Sequence, residues 1–173
     1  MLTLERARSW YPGNDAVHGF DHVERVYRMA ERLAELEGAD MEIVRAAALL
    51  HDVEGSEPGG ENRPNHHHQS ADFAATVLRE EGWANERIKA VQHCIRAHRF
   101  RGDGEAPQTL EAQVLFDADK LDVLGAIGTA RTIAYAVMAG TPVFTEPSEQ
   151  FFQTGKEIPG AEHRAYHEYL YKI

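Results

Sequence analysis

The chain contains a single cysteine, Cys94. No intramolecular disulfide can form, and a cysteine-based zinc site is excluded. Within AVQHCIRAH this cysteine reads as a small core residue, with a nucleophile as the competing reading. No run approaches the roughly 18 apolar residues that a membrane span requires. The first residues, MLTLERARSWYPGND, carry charges where a secretory signal needs its apolar stretch, so the expected location is cytoplasmic, with no membrane partner. Positive charge is in deficit, because 28 acidic and 18 basic residues leave a net charge of -10. That balance opposes broad attachment to nucleic acid or anionic lipid, and no stable nucleic-acid binding is expected. A local cationic pocket for a phosphate remains compatible with it. A Gly-rich phosphate loop of the Walker type is also missing, which excludes a P-loop NTPase. Two-residue alternation is sustained nowhere, and no internal repeat is visible.

What is present is helical periodicity and histidine. The 173 residues suit one domain spanning 1–173, and ten histidines are clustered along it. Residues 20–37 place Val23, Val26, Ala30, Leu33 and Leu36 at helical spacing, with Gly38 as a stop. The segment 41–51, MEIVRAAALLH, reads as a buried helix ending near His51. GSEPGGENRPN (55–65) reads as an exposed loop. A helix at about 67–81 turns Ala71, Ala74, Ala75 and Leu78 inward. Asn85 is expected to cap the next, whose Ile88, Val91 and Ile95 share a face. After the loop 100–108, the stretch from Thr109 to Gly140 is either one long helix or two meeting near Gly125. A TPVF turn (141–144) and a final helix at about 161–171 complete an all-α reading.

Chemistry concentrates at His51-Asp52. Neighbours on a regular helix point about 100° apart, so they serve one metal best where a helix is ending. Here the helix runs into Gly55 within a turn. Neutral imidazole and ionised carboxylate are both available near pH 7. His22 sits early on an amphipathic helix, and Asp117, Asp119 and Asp122 interrupt an apolar segment. Three acids there ask for a cation, an arginine or water; a solvated helix edge is the plain alternative.

Five ordered motifs, HGFDHVERV (18–26), LLHDVEG (49–55), HHHQSADFA (66–74), AHRF (97–100) and DADKLDVLGAIGTAR (117–131), together resemble the HD-domain superfamily of metal-dependent phosphohydrolases. The likeness covers about residues 15–131, and its last motif is similar to the small bacterial and archaeal branch, some members of which are nucleoside triphosphate pyrophosphohydrolases. The resemblance implies an HD-domain helical bundle and a metal held by His22, His51, Asp52 and Asp119. Such a mixed N/O set suits Mn²⁺ or Mg²⁺ first, with Fe²⁺, Co²⁺, Ni²⁺ or Zn²⁺ compatible.

By the same resemblance, His68 and His98 fall where relatives place histidines for a second metal or for the substrate's phosphate. Glu54 or Asp122 is expected as base or orienter, with Glu57 as another source of the acid. His18, Arg25 and Lys120 are candidate substrate contacts; for Arg25 a phosphate and a carboxylate remain alternative partners, and for Arg131 a surface role is favoured. His93 reads as structural, and His66 and His67 as exposed. The implied reaction is hydrolysis of a phosphoester or phosphoanhydride in a small-molecule substrate, expected to be a nucleotide, by metal-activated water. An HD-type di-iron oxygenase, needing His68 and a neighbouring histidine on iron, and a noncatalytic nucleotide sensor are the alternatives; a homodimer is the candidate assembly.

Two departures from the branch stand out. The acid follows the doublet by two residues, at Glu54, where relatives often space it by three. The end, HEYLYKI, is similar to the start of a helical segment that relatives continue, so substrate closure or subunit contacts on that side are expected to differ.

Overall fold

The structure is a computed structural model that describes residues 2–11, 13, 15, 17–55, 61–99, 104–154, 166, 167 and 170. Among these the chain is helical, with no strand. It divides into two compact units, Met1–Asp122 and Val123–Ile173.

The first unit contains α1 (Leu4–Arg8), α2 (Phe20–Glu37), α3 (Met41–Leu50), a 3-10 turn (Arg63–Asn65), α4 (His66–Glu80), α5 (Asn85–Ala97) and α6 (Leu110–Leu121). Helix α3 is the centre. Ile43, Val44 and every residue from Ala46 to Leu50 are buried, so it is apolar nearly all round. It packs on α2, α5 and α6, and more narrowly on α4 and α1. The three successive alanines, Ala46 to Ala48, let those neighbours approach closely.

Asp40 caps α3 by accepting from the Glu42 and Ile43 amides, and Arg87 of α5 grips the same carboxylate at 2.8 and 3.0 Å. At the other end Tyr11 donates to the carbonyl of Leu49 at 2.9 Å, satisfying one of the helix's orphan acceptors inside the core. Burial first, and then the charge of Asp52, push the Tyr11 phenol well above its usual range. The chain leaves α3 through His51 and turns at Gly55, whose φ of 63° favours glycine.

Several details differ from the sequence reading. Leu36 is 73% exposed, and Ala34 takes the buried position at that end of α2. Asn85 is the first residue of α5, not its cap; Ala84 is the cap residue and offers no side-chain bond. Helix α4 starts at His66, because the 3-10 turn that interrupts the expected loop runs straight into it. The segment after Thr109 is two helices, not one.

The second unit contains α7 (Gly125–Met138) and α8 (Glu149–Thr154), the latter unanticipated. The helix expected at about 161–171 lies outside the described residues, apart from 166, 167 and 170. Among the described residues no single helix is long and apolar enough to cross a membrane.

Cys94 is fully buried in α5, and burial pushes its thiol up to about 12. A thiol held that far above neutrality offers almost no thiolate to an electrophile. Iodoacetamide at pH 8 should therefore label the native chain on the order of a hundredfold more slowly than the urea-unfolded chain. Equal rates, read by mass spectrometry, would show that Cys94 is accessible.

Candidate metal centre

Three elements of the first unit deliver the donors. His22 lies in the first turn of α2, His51 and Asp52 follow α3, and Asp119 lies in the last turn of α6. His22 is 1% exposed, His51 0% and Asp52 4%. The central burial of α3 thus drives a histidine and a carboxylate into the interior.

The hydrogen-bond network sets the tautomers. His22 Nδ1 donates to Asp122 Oδ2 at 2.8 Å, and His51 Nδ1 donates to the carbonyl of Ala48 at 2.8 Å. Both partners only accept, so each ring keeps its proton on Nδ1 and turns an Nε2 lone pair inward. Those two Nε2 atoms face each other at 3.4 Å. Asp119 Oδ1 lies 3.5 Å from His22 Nε2, while Asp52 Oδ2 lies 3.9 Å from His22 Nε2 and 3.8 Å from His51 Nε2. Two donors about 2.1 Å from a common ion, at ordinary coordination angles, sit roughly 3–3.5 Å apart. Ligand atoms of His22, His51 and Asp119 all lie within 4.8 Å of one another, as one cation needs, and Asp52 stands beside the two imidazoles.

A second group shares Asp52. Its Oδ1 lies 3.2 Å from His66 Nε2 and 3.4 Å from His98 Nε2, and neither approach is aligned as a hydrogen bond, leaving this buried oxygen without one among the described residues. His98 Nδ1 donates to the Ile95 carbonyl at 2.5 Å. Orphaned carboxylate oxygen facing imidazole nitrogen is what a cation-binding site looks like before its ion is counted.

Charge at the site follows. Burial alone would raise Asp52, but the imidazoles of His51, His66 and His98 hold it well below the usual carboxylate range. Burial likewise opposes ionisation of Asp119, and Lys120 first, then His22, His98 and His51, outweigh it. Burial pushes His98 down to about 4, further than Asp52 pulls it up, so the ring is neutral near pH 7. Ionised carboxylates beside neutral imidazoles are the protonation states that metal ligation needs.

The other candidates are distributed unevenly. Asp122 stands behind His22 and also accepts from Arg25 Nε at 2.8 Å, so it orients the ring. Arg25 also donates to Asp21 at 2.8 Å; carboxylates are its partners here. Lys120 donates to Asp119 Oδ2 at 2.9 Å and to the His98 carbonyl at 3.1 Å. His18 is buried, with its ring centroid 6.1 Å from that of His22. Glu54 is not brought to the donors: its side chain is exposed, and only its amide is engaged, donating to Ser70 Oγ at 3.1 Å. Glu57 lies outside the described residues, and Arg131 belongs to the second unit. His93 sits away from the site, bonded to Glu105 at 2.5 Å and accepting from the Gln108 amide.

Two expectations along HHHQS are corrected. His68 is exposed on α4 and stacks on His67, with ring centroids 4.1 Å apart. His66, expected to be exposed, is 2% exposed and is the ring that reaches Asp52. The signal was available: Leu78, Ala74, Ser70 and His66 recur every four residues and are all buried. Arg99, whose Nη1 donates to His66 Nδ1 at 3.1 Å, and Tyr11 were also missed.

Comparison with known proteins identifies the family. The HD-domain family model matches residues 19–124, and the chain belongs to that family. A solved structure of a predicted HD superfamily hydrolase from an uncultured Thermotogales bacterium is 30% identical, with a TM-score of 0.61, over 76% of this chain and 72% of that one. Bacillus subtilis YpgQ, solved in complex with ADP, is 28% identical with a TM-score of 0.63, over 88% and 79%. A Lactobacillus plantarum structure is 28% identical with a TM-score of 0.73, over 99% and 82%. The chain is thus an HD-superfamily hydrolase homologue by sequence and by fold.

The entry to α2 is tight. Asp15 Oδ1 accepts from the amides of Val17 and His18 at 2.8 and 3.0 Å, and a Cβ on Gly19 would stand 2.2 Å from the Asp15 carbonyl oxygen. That neighbour is backbone and cannot swing aside. Gly19→Ala should therefore cost about 1–3 kcal/mol in urea unfolding, by forcing the turn that leads to His22 to move. An unchanged midpoint would show that the turn has room.

Proposed function

We propose that the chain is a metal-dependent phosphohydrolase acting on a nucleotide, with a divalent cation held by His22, His51, Asp52 and Asp119. One observation carries the reading: the Nε2 lone pairs of His22 and His51 face each other at 3.4 Å beside the buried Asp52 and the partly buried Asp119, because both Nδ1 protons are committed elsewhere. Acceptors so placed repel unless a positive charge joins them. Mn²⁺ or Mg²⁺ fits the N/O set and a phosphate substrate, and Fe²⁺, Co²⁺, Ni²⁺ and Zn²⁺ share its donor chemistry. When bound, such an ion supplies Lewis acidity toward a phosphoryl oxygen and lowers the pKa of a coordinated water.

The chain's own groups then do the positioning on which phosphoryl transfer depends. Asp122 holds His22, and Arg25 holds Asp122. Lys120 fixes Asp119 through Oδ2, leaves Oδ1 toward His22, and adds positive charge beside the site. His98, neutral and buried, excludes water on the Asp52 Oδ1 side. The ADP seen in YpgQ supports a nucleotide as the substrate class.

Three measurements test this. Asp52→Ala should abolish turnover and sharply lower bound metal while preserving helical circular dichroism; full activity with metal supplied would rule the site out. Asp122→Asn should weaken Mn²⁺ binding roughly 10–100-fold in calorimetry, since the amide no longer commands the His22 tautomer. A panel of nucleoside mono-, di- and triphosphates with Mn²⁺, Mg²⁺, Co²⁺ or Ni²⁺ should release phosphate or pyrophosphate from at least one. Metal-loaded protein inert toward all of them would sink the enzymatic reading.

A further inference from the structure

The end of α3 leaves carbonyls without intrahelical partners, and side chains meet two consecutive ones. Ala48 accepts from His51 Nδ1 at 2.8 Å, and Leu49 accepts from the Tyr11 hydroxyl at 2.9 Å. The first bond aims an imidazole of the site. The second comes from a buried residue 38 positions earlier, just after α1. Asp52 lies three residues beyond Leu49, and both its charge and its main-chain amide act on the Tyr11 phenol. The Tyr11 ring also packs on Phe20, with centroids 5.7 Å apart, and Phe20 opens α2 two residues before His22. Arg8 of α1 reinforces that grip, its guanidinium 4.4 Å from the Phe20 centroid and 3.1 Å from the Glu24 carboxylate.

We propose that Tyr11 is a positioning residue for the metal centre: its phenol ties the exit of α3, which carries His51 and Asp52, to the entry of α2, which carries His22. The proposal rests on the metal-centre reading above and adds to it a residue that acts through the donors rather than on the ion. Packing alone does not ask for the hydroxyl. A phenylalanine would fill the same space against Phe20 without a polar group to desolvate. The hydroxyl adds a fixed distance, because it holds the Leu49 carbonyl, and so the backbone leading into the doublet, beside the start of α2. Binding constellations tolerate about 0.5 Å of drift before they lose affinity. Without the bond, the last turn of α3 keeps an unpaired buried carbonyl and has reason to unwind, carrying His51 and Asp52 away from His22 and Asp119.

Two variants of the full chain, Tyr11→Phe and Trp10→Leu, separate positioning from general stability. Trp10 precedes Tyr11 and packs edge-on against Phe73, with centroids 5.4 Å apart, so its loss loosens the same segment while the hydroxyl stays. Tyr11→Phe should keep helical circular dichroism and weaken Mn²⁺ binding about tenfold in calorimetry. In the metal-free chain it should speed hydrogen exchange of peptide 49–55 about tenfold. Trp10→Leu should lower the urea midpoint, hold the Mn²⁺ Kd within about twofold of wild type and leave that peptide's exchange unchanged. A Tyr11→Phe Kd within about twofold of wild type, or equal changes in the two variants, overturns the proposal. Wild-type protein that binds no Mn²⁺ removes the metal centre itself; the exchange comparison, made without metal, then supports or overturns the positioning role on its own.

Discussion

The burial of Asp52 among imidazoles is the interaction on which the molecule is organised. A carboxylate 4% exposed, with one oxygen lacking any hydrogen bond among the described residues, is costly in a protein interior unless opposite charge surrounds it. The cost is incurred because α3 is a central helix buried at every residue from Ala46 to Leu50, so whatever follows Leu50 emerges inside. Tyr11 makes that exit tolerable by bonding the Leu49 carbonyl, which no water reaches there. Apolar packing thus selects where the polar centre is, and the polar centre specifies what the neighbouring helices must present to it.

What those helices present is governed one layer out. The donor atoms of His22, His51 and His98 are oriented by oxygens that never touch the site, and Asp119 is split between Lys120 on one oxygen and His22 on the other. Two of these outer partners are backbone carbonyls three residues before the ring, at Ala48 and Ile95. Both belong to the last turn of a helix, where carbonyls lack intrahelical partners. The end of a helix therefore satisfies its own orphan acceptor and aims an imidazole in one contact. Placing His51 and His98 immediately after α3 and α5 is what makes the arrangement possible.

Helix positions were largely legible in the sequence, because apolar periodicity is strong in α2 to α5 and each ends near a glycine or histidine visible in the chain. Where the reading slipped, a local competitor decided. Ala34 displaced Leu36 from the core because it continues the four-residue spacing of Val26 and Ala30, a row from which Leu36 falls away. The site was legible as far as a doublet and its ordered companions could be matched. Choosing among His66, His67 and His68 required the register of α4 to within one residue, and boundaries are where pattern reading is weakest. Asp122 and Arg25 were visible as residues, but not as each other's partners, since they lie far apart in the chain and meet only when α2 and α6 pack.

The donor set also has a topological meaning. With a lone thiol sealed in α5, this chain has no covalent means of tying distant segments together. His22, the His51–Asp52 pair and Asp119 stand at the start, middle and end of the first unit, and they come within chelating distance only there. An ion shared among them would close two long loops at once and restrict the unfolded ensemble as a crosslink does. Occupancy of the centre and persistence of the fold would then be linked quantities, and starving the chain of divalent cations would loosen its architecture as well as silence its chemistry.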